Sequence, residues 1–563
     1  MSKKLSTFRK TVLLLLFVYT TTSLGSATVG SKFLNPRQSP ESETTPFNVN
    51  WDEINPSEKL EWHPCGEPLL CARLAVPLDY TKPDASDRAA IALVRYPSKY
   101  QTDDPKWRGP VLYNPGGPGH SGVFFIGALG GLFSNLIGSE FDHIGFDPRG
   151  VGYSTPKLGV FADGSPEEML WKIQRPNTVN SLDDSLIRSF NHYKILGELA
   201  VKRVNETARL VSTAFVARDM LRITEAFGRE KLQFYGFSYG TQLGVTFASM
   251  FPDKVERIIL DGVVDAEDYI AGAWKNNIVA ADQTLKLVYD ACATSAECPL
   301  HEDSSEKIAA RVNAITEKLN QYPLLAMDDS GKQYGQVDGT FVRSLLLALL
   351  YGPYQFTAPY LQAIADAEVG NASSLLNAFY GEVMSPSQYT CPVGNGVKTP
   401  PEPVEALPAI ACGDAYPVQE DIEGLRKWFE ELTHISSMAD TFWIHVACAG
   451  WRLEAAESYR GPFTGNTSHP LLFIGNTLDP VTSLVAAKKM AKGYEGAVTL
   501  TQNSGGHASI AAQSQCTHKY IREYFINGTL PSADTVCEIE SEIFPAEEQK
   551  PRGMKFALKP PMM

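Results

Sequence analysis

Short hydrophobic runs alternate with amphipathic helical patterns over residues 70–265. The clearest strand-like runs are Val111–Tyr113, Phe141–Phe146, Leu232–Tyr235 and Arg257–Leu260. Between the second and third of these runs, the apolar positions of residues 212–228 recur at helical spacing, and Gly228 ends the pattern. Strands that alternate with helices in this way predict an α/β fold, with a mostly parallel central sheet and helices on both of its faces.

Residues 271–440 have a different pattern, which is mostly helical and interrupted by loops. Strand-like runs return at Leu471–Ile474 and Ala497–Thr501, so the sheet resumes after a helical insertion. We therefore expect a sheet that is covered by a largely helical cap. The expected divisions are an extended lead-in at 28–60, the first part of the core at 61–270, the cap at 271–440, a C-terminal core module at 441–545 and a loose tail at 546–563.

The first residues are typical of a secretory signal peptide. Basic residues precede the apolar run VLLLLFV, and small residues follow it up to Ala27, where cleavage is expected. The apolar run is much shorter than the ~20 residues that span a bilayer, although a signal-anchor is the alternative interpretation. We expect residues 1–27 to be removed and the mature chain to be secreted, without a membrane attachment.

Charge and potential modifications agree with an exported protein. Removal of Lys3, Lys4, Arg9 and Lys10 with the leader changes the formal net charge from −14 to −18, which disfavours binding to nucleic acid and anionic membranes. No metal or cofactor motif is recognisable, since the chain has neither C-x-x-C nor H-E-x-x-H. Four N-glycosylation sequons are present, at Asn205, Asn371, Asn466 and Asn527.

Nine cysteines in an exported chain predict disulfide bonds and one unpaired thiol. Short spacing favours the pairs Cys65–Cys71, Cys292–Cys298 and Cys516–Cys537, and the next most favoured pair is Cys412–Cys448. That assignment leaves Cys391 free, although the sequence alone does not fix the connectivity.

The sequence FYGFSYGTQLG places Ser238 in a G-x-S-x-G motif between the apolar run LQFY and a predicted helix. A serine nucleophile of this type needs a sharp strand-to-helix turn, and glycines on both sides let strand and helix approach closely. The motif by itself is weak in a chain rich in glycine and serine, but the strand–turn–helix context makes the nucleophile hypothesis much stronger.

Hydrogen-bond donors for an oxyanion are expected from two segments. In enzymes with this elbow, one donor is the backbone N–H of the residue after the nucleophile, here Tyr239. The loop NPGGPGHSG follows an earlier strand and offers a second donor, for which we favour Gly117, with Gly116 close behind. The alternative for this loop is an ordinary Gly-Pro turn.

A base and its orienting acid are expected after later strands, in the chain order Ser, Asp, His. Asp479 follows one such strand, and His507 lies in a glycine-rich loop after the next. Asp261 is the rival acid, because it also follows a strand. We favour Asp479, since its loop directly precedes the strand that leads to His507.

Other acids have structural interpretations. Asp147 and Arg149, in GFDPRGVGYS, are expected to pair with each other and brace the loop beside the site. Asp219 and the acids of VVDAEDY are expected to be solvated or to act as braces.

Taken together, the segments NPGGPGHSG, FDHIGFDPRGVGYSTP, LQFYGFSYGTQLG and RIILDGVVD resemble the secreted tripeptidyl-aminopeptidase-like branch of the prolyl aminopeptidase family of α/β-hydrolases. A C-terminal module with CAGW, PLLFIGNTLDP, NSGGH and CTHKYIREYFINGTLPSADTVC extends the resemblance. It covers most of residues 105–265 and 445–540, while residues 271–440 match only in position and helical character. His120 departs from the family pattern, which often has a small residue there, and is a candidate substrate contact.

The resemblance implies an α/β-hydrolase fold, Ser238 as nucleophile, Asp479 as orienting acid and His507 as base. It also implies a cap that favours cleavage at one chain end and an acid that holds the free ammonium of a peptide, with Glu267, Asp268 and Asp414 as candidates. The expected activity is that of an exopeptidase that releases short N-terminal fragments. The alternatives are an esterase, lactonase or amidase that acts on a small metabolite with the same residues, and a binding module without catalysis.

Overall fold

The computed structural model describes residues 47–82, 85–163, 165–328, 331, 334–382 and 403–545. The expected leader, Cys391 and the C-terminal tail lie outside these residues. Strands in the described part are β1 His63–Gly66, β2 Leu69–Pro77, β3 Arg88–Tyr96, β4 Pro110–Asn114, β5 Asp142–Phe146, β6 Leu232–Phe237, β7 Val255–Asp261, β8 Leu324–Met327, β9 Tyr334–Val337, β10 Leu472–Leu478, β11 Val498–Gly505 and β12 Val536–Cys537.

Within the described residues, ten of these strands form one sheet in the order β1-β2-β3-β5-β4-β6-β7-β10-β11-β12. Strands β1, β2, β3 and β5 pair antiparallel, whereas every neighbouring pair from β5 to β12 is parallel. The predicted mostly parallel α/β sheet is therefore confirmed. Its parallel half brings the carboxyl ends of β4, β6, β7, β10 and β11 to one edge, where sites of this class are built.

The helices of the described residues are α1 Gly122–Leu136, α2 Pro166–Gln174, α3 Ser185–Arg203, α4 Asn205–Ala208, α5 Thr213–Ala226, α6 Tyr239–Met250, α7 Ala266–Ile270, α8 Ala281–Thr294, α9 Ser305–Gln321, α10 Gly339–Tyr351, α11 Pro353–Glu368, α12 Ser373–Glu382, α13 Ala406–Asp414, α14 Ile422–Thr433, α15 Ile444–Gly450, α16 Leu484–Ala491 and α17 Gln515–Asn527. In this part of the chain, none is both long and apolar enough to cross a membrane.

Side chains that alternate along the strands divide the interior into two cores, one on each face of the sheet. In β4, Leu112 packs into one core, while Val111 and Tyr113 pack into the other. All three are fully buried, because helices cover both faces.

Helix α5 begins as predicted, since the Ser212 side chain accepts a hydrogen bond from the Phe215 N–H and caps its first turn.

Helices α8–α14 and the β8–β9 hairpin lie in the segment that we expected to form the cap, and a second helical segment, α2–α4, packs with them. Helix α3 packs closely on α15: a Cβ at Gly197 would lie 2.2 Å from the Gly450 carbonyl oxygen. Beside this contact, the rings of Tyr193 and Trp443 stack with a centroid distance of 5.1 Å. Residue 441, where we expected the core to resume, therefore precedes a helix that packs within the cap.

The end of the expected lead-in packs on the core. Trp51 is buried and stacks on Tyr153 with a centroid distance of 4.7 Å, and Phe47 is buried beside it. The expectation of an extended lead-in is therefore corrected for residues 47–60, because two large aromatic side chains gain apolar burial there.

Four disulfide bonds join the cysteine pairs that the sequence favours: Cys65–Cys71, Cys292–Cys298, Cys412–Cys448 and Cys516–Cys537. The third bond links α13 to α15 inside the cap.

At the sequons, Asn371, Asn466 and Asn527 are exposed and Asn205 is half-buried.

Arg149 does not pair with Asp147, which corrects the sequence prediction. Its guanidinium makes a bidentate ion pair with Asp219, at 2.7 and 2.6 Å, and also donates to the carbonyl oxygens of Leu78 and Pro77. Both partners are buried, so Asp219 is a buried brace and not a solvated acid. Asp147 instead accepts hydrogen bonds from the Ser121 hydroxyl and from backbone N–H groups.

We expect Asp219→Ala to lower the free energy of unfolding by about 3–5 kcal/mol, because it leaves the Arg149 charge buried without its partner. Asp184→Ala is the matched control, since Asp184 pairs with Arg188 on the surface and its loss should cost less than about 1 kcal/mol. Urea unfolding followed by tryptophan fluorescence measures both variants. Equal effects would show that the buried pair contributes no more than the exposed one.

Candidate active site

Ser238 sits at the turn between β6 and α6, with backbone angles of φ 55° and ψ −125°. A residue with a side chain rarely adopts this conformation, which costs of the order of 1–3 kcal/mol and persists only where the surroundings enforce it. The Ser238 N–H donates to the Asp261 carbonyl oxygen at the end of β7, and the Ser238 carbonyl accepts from the Thr241 N–H. These bonds hold the serine at the carboxyl end of the sheet.

The two glycines of the motif are required by close backbone approach. A Cβ at Gly236 would lie 2.3 Å from the Gly240 carbonyl oxygen, and a Cβ at Gly240 would lie 2.6 Å from the Asn114 carbonyl oxygen. Neither distance is compatible with a side chain, so the elbow can form only with glycine at both positions. This is the packing that the G-x-S-x-G motif predicts.

The glycine-rich loop after β4 lies directly against the elbow. A Cβ at Gly116 would lie 2.8 Å from Cβ of Ser238 and 3.2 Å from the Tyr239 nitrogen. The Gly116 N–H donates to the Asn114 side-chain oxygen at 3.0 Å, so it is engaged and not directed at an oxyanion. Among the hydrogen bonds of the described residues, the N–H groups of Gly117 and Tyr239 have no acceptor. The pair Tyr239 and Gly117 therefore remains as the candidate oxyanion hole, and Gly116 is corrected to a supporting role.

The Asp479 carboxylate holds the His507 imidazole. Nδ1 of His507 lies 3.1 Å from each Asp479 oxygen, and the carboxylate also accepts from the N–H groups of Val481, Thr482 and Ala508. A carboxylate fixed by its own loop in this way orients the ring and selects the tautomer with the proton on Nδ1.

The opposite ring nitrogen of His507 is available for chemistry. Nε2 is buried and has no hydrogen-bond partner in the part of the chain that the structure describes. The ring lies over the end of β7: a Cβ at Gly262 would be 3.2 Å from Cε1 of His507, and Gly262 follows the residue whose carbonyl oxygen holds the Ser238 N–H. A buried imidazole with one nitrogen bound to a carboxylate and the other unpaired is suited to act as a general base.

Asp261, the rival acid, has other partners. Its carboxylate accepts from the Tyr235 hydroxyl at 2.9 Å and from the N–H and hydroxyl of Ser509. Burial raises the pKa of Asp261 to about 6. Asp261 thus braces the chain two residues after His507, whereas Asp479 contacts the imidazole itself.

The cap contributes directly to the histidine loop. The His507 N–H donates to the Tyr351 carbonyl oxygen at 2.9 Å, and the two rings meet edge to face with a centroid distance of 5.0 Å. Tyr351 is the last residue of α10, so the end of a cap helix covers the imidazole. Water is excluded from this side of the ring, which strengthens the interaction with Asp479.

The three acids that were candidates for binding an ammonium group have different environments. Glu267 is exposed and pairs with Lys489 at 2.8 Å, and Asp268 accepts a hydrogen bond from the Asn276 N–H. Asp414 is buried, and its carboxylate accepts from the N–H and hydroxyl of Thr213 and from the Tyr269 hydroxyl. Asp414 therefore has no free face for a substrate, which corrects that prediction.

Sequence reasoning missed Glu405, which lies at the start of α13. The next residue, Ala406, has its Cβ 3.1 Å from the position of a Cβ at Gly119, so this acid is adjacent to the glycine-rich loop. Glu405 is buried, accepts from the Val160 N–H at 2.6 Å, and has no cationic partner among the described ion pairs. Burial, reinforced by the nearby charge of Glu168, raises its pKa to about 7. The Pro-rich segment around it gave no helical pattern that could have singled it out.

His120 is half-buried at the end of the same loop. A Cβ at Gly117 would lie 2.8 Å from Cδ2 of His120, so the imidazole is beside the candidate oxyanion donor. A contact between His120 and a substrate stays a prediction.

We expect Gly240→Ala to abolish most hydrolytic activity and to destabilise the fold by about 1–3 kcal/mol, because its Cβ would overlap the backbone of β4. Gly159→Ala is the matched control, since a Cβ at Gly159 would meet nothing within 4 Å. Thermal unfolding and turnover of an aryl ester measure both effects. A fully active Gly240→Ala protein would contradict the close approach of strand and helix.

Comparison with known proteins agrees with this geometry. Residues 109–335 match the α/β hydrolase fold family, and residues 436–537 match the TAP-like protein family. Serine protease Hip1 of Mycobacterium tuberculosis is 29% identical over 507 residues, which cover 85% of this chain and 91% of that protein. Tripeptidyl aminopeptidase of Streptomyces lividans is 25% identical over 512 residues, which cover 85% of this chain and 86% of that protein. Carboxylesterase B of M. tuberculosis is 27% identical over 486 residues, which cover 83% of this chain and 86% of that protein.

The matched ranges contain Ser238 in the first family and both Asp479 and His507 in the second. The relatives are similar to this chain over most of its length and include peptidases that are named for their serine or aminopeptidase activity. The chain therefore has the α/β-hydrolase fold with a TAP-like C-terminal part, and the relatives are consistent with a serine hydrolase in which peptidase activity is favoured over esterase activity.

Proposed function

We propose that the chain is a secreted serine exopeptidase that releases short N-terminal fragments from peptides through an acyl-enzyme on Ser238. The observation that carries this proposal is the arrangement of His507, with Nδ1 held by Asp479, Nε2 without a partner among the described residues, and the ring over the end of β7, whose last carbonyl oxygen accepts the Ser238 N–H. This arrangement supports acyl transfer, in which a base must accept the proton of a serine hydroxyl.

In the proposed reaction, Nε2 of His507 takes the proton of the Ser238 hydroxyl while its oxygen attacks the substrate carbonyl. Asp479 stabilises the imidazolium that forms, and the N–H groups of Tyr239 and Gly117 receive the negative charge on the carbonyl oxygen. The protonated histidine then gives its proton to the leaving amine. Water, activated by the same histidine, hydrolyses the acyl-enzyme and regenerates the serine.

The cap favours cleavage near a chain end. Helices α10 and α13 touch the histidine loop and the glycine-rich loop respectively, so the cap closes over both sides of the nucleophile. A closed site of this kind admits a peptide terminus more readily than the middle of a folded chain.

We propose Glu405 as the acid that receives the free amino terminus. Its carboxyl group is buried and has no cationic partner among the described ion pairs, and the next residue, Ala406, packs on the glycine-rich loop, so a substrate ammonium that reaches this carboxyl group would supply a partner. A buried carboxylate gains strongly from such a charge. Glu267, in contrast, already pairs with Lys489 on the surface.

Four disulfide bonds support the proposed export, since such bonds form and persist in oxidising compartments. The signal-like first residues point to the same compartment.

The second candidate function is hydrolysis of an ester, lactone or amide of a small metabolite. It is favoured by the similarity to Carboxylesterase B, because the same catalytic residues serve both reactions and the cap sets specificity.

We expect Asp479→Asn to lower kcat by about 10⁴-fold, because the amide no longer stabilises the imidazolium or selects its tautomer. Asp261→Asn is the isosteric control. The Asp261 carboxyl group does not contact the imidazole, so this substitution should lower kcat far less than Asp479→Asn does. Steady-state kinetics on an aryl ester give both values, and Ser238→Ala should be inactive. A larger loss in Asp261→Asn than in Asp479→Asn would reassign the orienting acid.

We expect the wild-type protein to hydrolyse tripeptidyl-anilides with a free amino terminus much faster than the same compounds with an acetylated one. Glu405→Gln should raise KM for the free substrates by at least about tenfold, since it removes the charge that attracts the ammonium, and should leave the acetylated substrates and aryl esters unchanged.

Glu267→Gln is the matched control and should behave like wild type. Hydrolysis of esters alone, with no anilide cleaved, would favour the second candidate function. A Glu405→Gln protein with unchanged preference for free termini would remove Glu405 from the proposal.

A further inference from the structure

Helix α13 reaches both sides of the candidate oxyanion hole. At its first residue, Ala406 packs on Gly119 in the loop that carries the Gly117 N–H. At its last residue, Asp414 is buried near the side chain of Tyr239, the residue whose backbone N–H is the other donor. One helix of the cap therefore contacts the glycine-rich loop directly and is linked to Tyr239 through Thr213.

A chain of short hydrogen bonds connects Asp414 to Tyr239. The Thr213 hydroxyl donates to the Asp414 carboxylate at 2.5 Å, and the oxygens of Thr213 and Tyr239 are 2.6 Å apart. A threonine hydroxyl has one proton, and here it goes to the carboxylate, so the Tyr239 hydroxyl donates to Thr213. The direction of the chain is thus fixed from Tyr239 to Asp414.

Further contacts immobilise the carboxylate end of this chain. The Asp414 carboxylate also accepts from the Thr213 N–H at 2.9 Å and from the Tyr269 hydroxyl at 2.8 Å. The Arg460 guanidinium donates to the backbone oxygens of Asp414 and Ala415. The Cys412–Cys448 bond ties the same turn of α13 to α15. Burial raises the pKa of Asp414 to about 6.

We propose that Asp414 and Thr213 are positioning residues for the oxyanion hole, which hold Tyr239 so that its backbone N–H points at the developing negative charge. The inference rests on the proposed acyl-transfer function. Tyr239 is buried and is the first residue after the strained Ser238, so anchoring its hydroxyl restricts rotation of the peptide that carries the N–H. Donors must be fixed before the reaction to stabilise an oxyanion effectively.

The alternative role for the same bonds is attachment of the cap to the core, with no effect on the chemistry. The two roles predict different measurements. Weak attachment lowers the stability or the fraction of active molecules, whereas a misplaced donor slows the reaction of every active molecule.

The test uses the full-length protein and a fluorophosphonate probe, whose phosphoryl oxygen occupies the oxyanion hole as it reacts with Ser238. Thr213→Val removes the hydroxyl, and Thr213→Ser retains it. Tyr239→Phe removes the hydroxyl group that begins the hydrogen-bond chain and keeps the backbone N–H. Asp414→Asn replaces the carboxylate that accepts the last hydrogen bond of that chain. Active-site titration gives the concentration of reactive molecules, and kcat, KM and the labelling rate are then expressed per active site.

We expect Thr213→Val, Tyr239→Phe and Asp414→Asn each to lower kcat and the labelling rate per active site by about tenfold, with KM unchanged, because donor misplacement affects the transition state more than substrate binding. Thr213→Ser should stay within about twofold of wild type. Tyr524→Phe is the matched control, since it removes a buried tyrosine hydroxyl bound to the Pro470 carbonyl oxygen, away from the elbow.

The inference is overturned if Thr213→Val and Tyr239→Phe keep the wild-type rate per active site, even with a lower melting temperature. If Asp414→Asn does not fold, those two variants carry the test. Failure of the proposed function gives a different result: Ser238→Ala would then still react with the probe, or wild type would not react at all. Labelling that requires Ser238 but does not depend on Thr213 would reject the positioning role alone.

Discussion

The left-handed backbone at Ser238 is the constraint on which the site depends. With φ at 55°, this residue is held in a conformation that costs free energy, and only dense packing around it can maintain the turn. Gly236 and Gly240 allow strand β6, helix α6 and strand β4 to meet at backbone distance. Gly116 brings the oxyanion loop against the same turn. In the strand order β4-β6-β7, each neighbour of β6 contacts the elbow: Asn114 of β4 packs against Gly240, and the Asp261 carbonyl oxygen of β7 accepts the Ser238 N–H.

Buried acids at this edge of the sheet are distinguished by their hydrogen-bond donors. Asp479 receives N–H groups from its own loop and from the histidine loop, so its remaining contact is the imidazole. Asp261 is saturated by Ser509 and Tyr235, and Asp414 by Thr213 and Tyr269. Asp147 binds Ser121 and the N–H groups that follow it. Similar carboxyl groups thus acquire different functions because the chain presents different partners to each of them.

Local patterns predicted the sheet, the elbow and the loops of Asp479 and His507, because strand–turn–helix geometry is encoded by adjacent residues. Predictions failed where the partner is distant in sequence. Arg149 pairs with Asp219, which is 70 residues away and not two, and this choice depends on how α5 packs against the sheet. Asp414 was one of three candidates for binding an ammonium group, and the sequence does not show that Thr213 and Tyr269 already bind its carboxylate, because these contacts depend on tertiary packing. Glu405 lies in a Pro-rich segment whose local sequence says nothing about the neighbouring loop.

The cap and the core are mechanically coupled at the site, and this limits how far the chemistry can be separated from the specificity. A cap residue, Tyr351, accepts the His507 N–H and covers its ring. At the other side, α13 joins the oxyanion loop at Gly119 and the elbow through Thr213. These contacts tie the cap both to the loop of His507 and to the two segments that carry the candidate oxyanion donors. In the proposed reaction, the same few contacts would link substrate fit to transition-state stabilisation, because a substrate that seats well under the cap would also fix the base and the oxyanion donors.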